Sequence, residues 1–402
     1  MAHLFGKISR FRFNLPQRIA AAMLTIFLAQ GLWVASRQTL SENDYQYARC
    51  GRETWEGSPL LTPGSTSCGK IYDGIAAYRL AGLPFTLNLL AERAADRFRA
   101  PEDRVIVSQS APSPWELRHQ MTHMLLWLRL PFLLTGCALG GCLWWISRRL
   151  FGNLGGYTAL AFYCFSPAIL GACLVPGPEV LAALGVYGGI YTLIGVAHAM
   201  QGPRRKWRPR IVLLTVILSI ASAAHLAALA VAVLLGLTFM LWIAEGRRGP
   251  ILPVVSIATT GSVLVLFAWY GFSASAFRCI FRCPAGFLWL SADPARRYFL
   301  SLPNAGVTVA TAAAMVFYLA SRRSRYFGNT APLIGAVLLV LLIMTGAPGS
   351  PWLWSLPFLF TFIAGLFADV YEGPHRRLAI AAGAALVLLQ ALLCLFHLPA
   401  LV

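Results

Sequence analysis

Charge is what this 402-residue chain has least of. Only 12% of its residues are Asp, Glu, Lys or Arg, about half of the roughly 25% that soluble globular chains carry. Acids are scarcer still, with 15 Asp+Glu against 33 Lys+Arg and a net charge of +18. Extended polar stretches are few: 58% of residues are hydrophobic and mean hydropathy is +0.65. These shortages exclude an ordinary soluble enzyme. Nucleotide motifs are missing as well. No GxxxxGK[ST] loop, no G-x-G-x-x-G behind a strand and no H-E-x-x-H is present, which disfavours an ATP-driven pump and a nucleotide-sugar fold. No internal repeat or low-complexity tail is visible.

What the chain holds instead is apolar blocks. Stretches of about 20 residues, enough to cross a bilayer core, fall near 17–36, 124–147, 154–173, 179–200, 251–271, 304–321, 331–346, 352–368 and 378–398. The block Ile211–Ala244 is too long for one span and short for two, with His225 near its middle. Basic clusters decide between the two. They stand at Lys7/Arg10/Arg12, Arg148/Arg149, Arg204–Arg210, Arg247/Arg248, Arg322/Arg323/Arg325 and Arg376/Arg377. With two short helices meeting at His225, all six clusters face the cytoplasm, as the positive-inside tendency requires. The expected fold is an all-α polytopic membrane protein of about 11 transmembrane helices. It forms one domain over 1–402 in a bacterial inner membrane, with the N-terminus cytoplasmic and the C-terminus periplasmic.

Much of the net charge is thereby assigned to orientation. In a soluble protein a pI near 10.0 would suggest nucleic acid; here the expected partner is the lipid bilayer, and no nucleic acid. The first span has a basic start, but Ala35-Ser36-Arg37 is a poor cleavage site, so it reads as an uncleaved anchor. Two outer loops are expected, about 37–122 and about 272–303. In the first, Ile71–Ala91 carries Arg79, Gly82, Pro84 and Asn88 and reads as an interfacial amphipathic helix.

Of nine cysteines, Cys137, Cys142, Cys164, Cys173 and Cys394 lie in or beside apolar helices, where they pack as small hydrophobes. Cys50 and Cys68 share the first outer loop, and Cys279 and Cys283 the second. An oxidising compartment allows a disulfide in each pair. Four cysteines divided between two loops do not suit a zinc site.

Charges inside or beside spans are costly and point to function. Glu179 opens the fourth span in Val175-Pro176-Gly177-Pro178-Glu179, where helix capping would also explain it. Asp44 follows the first span, as a site acid or a solvated loop residue. His225 occupies the hairpin tip, as a ligand group or a satisfied polar residue. Arg278, Arg282, Arg296 and Arg297 form an outer basic group that orientation does not explain, and Lys70 adds to it. They suit either anchoring to anionic headgroups or a phosphate clamp built from planar guanidinium forks.

Phe151-Gly152-Asn153-Leu154-Gly155-Gly156-Tyr157-Thr158-Ala159, then Phe165-Ser166-Pro167, then Glu179, resembles the third and fourth spans of the C-type (GT-C) membrane glycosyltransferases. These include the dolichyl-phosphate-mannose protein mannosyltransferases and the bacterial aminoarabinose transferases. The resemblance implies transfer of a sugar from a polyprenyl-phosphate carrier to an acceptor on the outer face. It places Asp44 at the position of the general base or acceptor-positioning acid and Glu179 at that of a second acid. It places His225 where a hairpin cation contacts donor phosphate. Gly51 and Trp55-Glu56-Gly57 fit the first-loop pattern, but Tyr45 replaces its second acid. The His-Pro-Pro element due near Gly64–Lys70 is absent. Of the Arg-Tyr-x-x-Pro-x-x-Pro element due at Ser350–Pro357, only Pro357 remains, beside Trp352 and Trp354.

Chemically, such a transfer needs a base for the acceptor hydroxyl and positive charge for the phosphate leaving group. Two carboxylates could also share a divalent metal, since hard cations take carboxylate oxygens. A second reading follows from the missing polar motifs: a catalytically silent GT-C-like accessory subunit of a membrane complex, with other membrane subunits as partners. A third, a lipid or solute transporter, expects midplane polar residues and related halves, and these are scarce.

Overall fold

The computed structural model describes residues 14–56, 71, 73–98, 114–200, 208–243, 249–280, 288–289, 293–320, 326–341, 343–344, 351–374 and 376–402. The described chain is almost entirely helical. Helix α1 (Leu15–Ala35) starts where Gln17 accepts a 3.0 Å bond from the Asn14 backbone N–H and Pro16 fixes the first turn. Helices α2 (Glu42–Glu56) and α3 (Ile75–Phe98) follow. They cross where Gly51 lies directly against the Tyr78 carbonyl and Gly82 against the Gly51 backbone, an approach with no room for a Cβ. Helix α3 covers the segment expected to lie at the interface and runs further, with Leu87 and Leu90 exposed.

After α4 (Pro114–His123) comes α5 (Leu125–Cys164), 40 residues long. At 1.5 Å per residue that is about 60 Å, twice a bilayer core. The helix is in fact two, joined at Gly152, whose φ of 77° only glycine adopts freely. Phe165 and Ser166 then interrupt the third apolar block, and Pro167 opens the short α6 (Pro167–Leu174). Helix α7 (Glu179–Met200) begins after Pro178, whose carbonyl accepts the Ala182 N–H at 2.8 Å. The Ile211–Ala244 block is two helices, α8 (Arg208–Ala224) and α9 (Leu226–Ile243), meeting at His225.

The remaining elements are α10 (Ile251–Trp269), α11 (Ala274–Ile280), α12 (Asp293–Leu300), α13 (Ala305–Ala320), α14 (Tyr326–Leu341), α15 (Leu356–Tyr371) and α16 (Arg376–His397). A 3-10 turn, Pro351–Ser355, precedes α15. Two-residue strands β1 (Leu288–Trp289) and β2 (Ile343–Met344) pair antiparallel, Leu288 opposite Met344.

Among the described residues, eight helices are long and apolar enough to cross a membrane, and two apolar helices are shorter. Helices α7 and α15 lie at the centre of the bundle, while α16 keeps most of its surface bare. Leu234, Leu252, Leu319 and Phe396 are exposed on the outer helices, a surface that suits lipid and would be a liability in water. The protein is a multi-pass membrane protein. One bracket closes the bundle. The fully buried Gln390 donates to the Phe165 and Pro303 carbonyls at 2.8 and 3.0 Å and accepts the Val307 N–H at 3.1 Å.

Candidate functional site

One end of the bundle gathers ionisable groups from segments far apart in sequence. Glu179 stands on the first turn of α7, His225 on the α8–α9 tip, and Asp73 on the segment leading into α3. His225 is 4% exposed. Its Nδ1 faces Asp73 Oδ2 at 2.9 Å and its Nε2 faces Glu179 Oε1 at 3.3 Å. Burial opposes a charge on this ring, but hydrogen bonds to the two carboxylates and their charges outweigh it and push its pKa up to about 9. At neutral pH His225 is therefore an imidazolium donating through both nitrogens. Glu179 is held on its other side by Trp354, whose indole N–H donates to Oε2 at 3.0 Å. Asp73 Oδ1 accepts the Gly74 and Leu226 N–H groups at 2.9 and 3.3 Å, which also caps the start of α9.

Tyr47 of α2 stacks on Tyr78 of α3 with ring centres 4.4 Å apart. Burial, then Tyr78 and the charges of Glu179 and Asp73, hold its phenol well above the ordinary range. Arg79, one residue on, is buried between Trp55 and Trp269, at 4.9 and 5.9 Å from their ring centres. Asn43 donates to the Pro176 carbonyl at 3.3 Å, tying α2 to the loop that delivers Glu179.

A second feature is built on α12 and the residue that follows it. Arg296, Arg297, Leu300 and Ser301 line a cavity of about 490 Å³. Tyr298, on the same helix, packs on Trp352 at 4.7 Å between ring centres, and Trp352 shares its 3-10 turn with Trp354. Trp354, two residues after Trp352, is the residue that bonds Glu179.

No protein-family model and no curated protein matches this sequence. Solved structures do. ArnT from Cupriavidus metallidurans in the apo state is 14% identical, over 92% of this chain and 62% of its own, with a TM-score of 0.59. The same protein bound to undecaprenyl phosphate has a TM-score of 0.56, with 14% identity over the same shares. The oligosaccharyltransferase of Archaeoglobus fulgidus in the apo form is 11% identical, over 98% of this chain and 56% of its own, with a TM-score of 0.54. The fold is GT-C. The chain spans about three fifths of the length of these GT-C structures (62% and 56%).

Within the GT-C fold the expected site residues separate. Glu179 and His225 do meet. His225 places one ring nitrogen on Asp73 and the other on Glu179. Asp44 is 1% exposed and ion-paired with Arg129 of α5, which is 3% exposed, at 2.6 Å. Its Oδ2 also accepts the Ser41 N–H at 3.1 Å, while Ser41 Oγ accepts the Asp44 N–H at 3.1 Å, a reciprocal cap on α2. Asp44 is thus a buried partner of Arg129 and a cap on α2.

Arg296 and Arg297 are exposed on the cavity wall. Arg278 is exposed at the edge of an apolar groove of about 310 Å³ formed by Val263, Leu264, Phe267, Ala274 and Phe277. Lys70, Arg282, Cys68 and Cys283, and the side chain of Cys279, lie outside the described residues. Cys50 is disulfide-bonded. The five membrane-helix cysteines are free.

Among the described residues no three His, Cys, Asp or Glu side chains are arranged to hold a metal. Asp44 is ion-paired with Arg129 through Oδ2, and Glu179 is bonded by His225 and Trp354. Sequence reasoning passed over Asp73, Arg129 and Trp354 as members of this constellation. Arg129 carried a readable signal, a cation inside the apolar block 124–147.

Proposed function

We propose that this protein is a membrane glycosyltransferase, with residues 1–402 acting as one membrane domain. It takes a sugar from a polyprenyl-phosphate donor and passes it to an acceptor at the periplasmic face of a bacterial inner membrane. The N-terminus is cytoplasmic and the C-terminus periplasmic. The observation that carries this reading is one juxtaposition at one end of a GT-C bundle. Trp354 bonds the Glu179 carboxylate of the His225 cluster, and Trp352 of the same turn packs on Tyr298 of α12, whose Arg296 and Arg297 line a cavity. A glycosyl phosphate needs both: a carboxylate to receive the acceptor proton and cations to stabilise the departing phosphate. Arg296 and Arg297 take the phosphate, since a guanidinium fork matches its oxygens. The groove edged by Arg278 offers an apolar bed for isoprene units. Lys70 and Arg282 belong to the same basic set. That ArnT has been solved with undecaprenyl phosphate bound supports a carrier lipid of this class.

Native mass spectrometry of the purified protein tests the reading. A retained polyprenyl phosphate, lost in an Arg296→Ala/Arg297→Ala double variant, is the expected result. A lipid-free protein that co-purifies at fixed stoichiometry with other membrane subunits would instead establish the accessory-subunit reading. One observation favours that second reading: Asp44, the acid at the motif position, is consumed by Arg129.

A further inference from the structure

We propose that Asp73 is the catalytic carboxylate of this site, the group that receives the acceptor proton, and that His225 is its positioning residue. The inference rests on the sugar-transfer reading and says which acid performs it.

Three acids compete for the role. Asp44 is sealed, 1% exposed and paired with Arg129. Glu179 is 12% exposed and lies on the far side of His225. Asp73 is 31% exposed, so it is the acid of this cluster that an incoming hydroxyl can reach. It is also the best oriented. Two backbone N–H groups fix Oδ1, and the His225 imidazolium fixes Oδ2 at 2.9 Å. A carboxylate oxygen accepts two hydrogen bonds, so Oδ2 keeps one lone pair for a substrate. His225 is anchored in turn through Nε2 to Glu179. Glu179 therefore acts on Asp73 through the ring and not on the substrate.

In the step itself the acceptor oxygen forms a bond to the anomeric carbon. The bond from that carbon to the phosphate oxygen breaks, its electron pair staying on the phosphate. The hydroxyl proton passes to Asp73 and then to water. The products are the glycosylated acceptor and the polyprenyl phosphate. A carboxylate suffices as the base here, because glycosyl transfer passes through an oxocarbenium-like transition state, in which the incoming hydroxyl gives up its proton late.

Two measurements test the assignment. The first needs no turnover. The purified protein is treated with a water-soluble carbodiimide and glycine methyl ester, and labelled sites are read by peptide mass spectrometry. Asp73 should label faster than Asp44 and Glu179; slower labelling than either overturns the proposal. The second uses proteoliposomes, a panel of undecaprenyl-phosphate-linked monosaccharides and a cell-envelope extract as acceptor, with release of undecaprenyl phosphate as the readout. Asp73→Asn should lower turnover at least about 100-fold while retaining undecaprenyl phosphate in native mass spectra, and Asp73→Glu should recover part of the rate. Wild-type turnover in Asp73→Asn overturns this assignment and leaves sugar transfer standing. No release by the wild-type protein from any donor removes both. Should Asp73→Asn lose the lipid through misfolding, the labelling order decides.

Discussion

The pairing of Asp44 with Arg129 makes a quantitative prediction about a residue that sequence position marks as catalytic. Asp44→Ala strands a guanidinium that is 3% exposed. Its remaining partners are the Ala35 and Thr39 carbonyls at 3.4 and 3.3 Å, too long to offset the loss. Breaking a buried pair on one side costs about 3–5 kcal/mol. The lost bond to the Ser41 N–H adds about 1 kcal/mol, the usual worth of a helix cap. Each kcal/mol shifts Tm by roughly 2 °C in larger domains, so the unfolding midpoint in detergent should fall on the order of 10 °C. Intrinsic tryptophan fluorescence during a thermal ramp measures it. Replacing both partners with apolar residues, Asp44→Leu/Arg129→Met, should restore most of the loss, because no charge is left unpaired. The reasoning would be refuted if Asp44→Ala kept the wild-type Tm within about 1 °C yet abolished release of undecaprenyl phosphate. Asp44 would then be a catalytic acid and not a structural counter-ion.

Three further outcomes are expected. His225 binds its proton more tightly folded than unfolded, with a pKa raised from 6.5 to about 9. Its stabilisation, roughly 3 kcal/mol, is therefore complete below pH 6.5 and is lost as pH rises to about 9. A Tm measured across that range should fall in the wild type and lose this slope in His225→Gln. Gly82→Leu should unseat α3 from α2, since the Gly51 backbone fills the space a side chain would need; protease sensitivity of the 42–98 segment should rise. Gln390→Leu leaves two carbonyls and one N–H without partners. At about 1–3 kcal/mol for each stranded group, its loss should exceed that of Leu388→Ala on the bare face of the same helix.

Much of the architecture was legible because it is written in local pattern. Apolar run length marks most of the helices, and the basic clusters together with His225 divide the 211–244 block into the two helices that form. The 154–173 stretch reads as one span, whereas Ser166-Pro167 breaks it before α6, because proline suits a first helical turn and little else inside a helix. Glu179 and His225 stood out as polar residues among apolar ones, and they do meet. Partnership was the part that could not be read. Asp44 and Arg129 are 85 residues apart and Asp73 and His225 are 152 apart, and no local periodicity encodes which acid meets which cation. A motif position gave Asp44 its expected role, and nothing local to it announced the pairing with Arg129 of another helix. Asp73 sits in an ordinary loop-to-helix junction, where a cap is the natural reading, and only the fold sets it against His225.

The Glu179–Trp354 bond has a consequence for the order in which the protein is made. The two residues are 175 positions apart. At roughly 5–20 residues per second, synthesis needs on the order of 10–35 s to get from one to the other. For that interval α7 is in or at the bilayer with its first-turn carboxylate lacking a donor it will later have, and His225 emerges partway through. The growing chain therefore carries its scarcest charges incompletely paired until α15 is about to enter. A protein arrested between those two points presents, at the membrane surface, an acid that the finished protein leaves only 12% exposed.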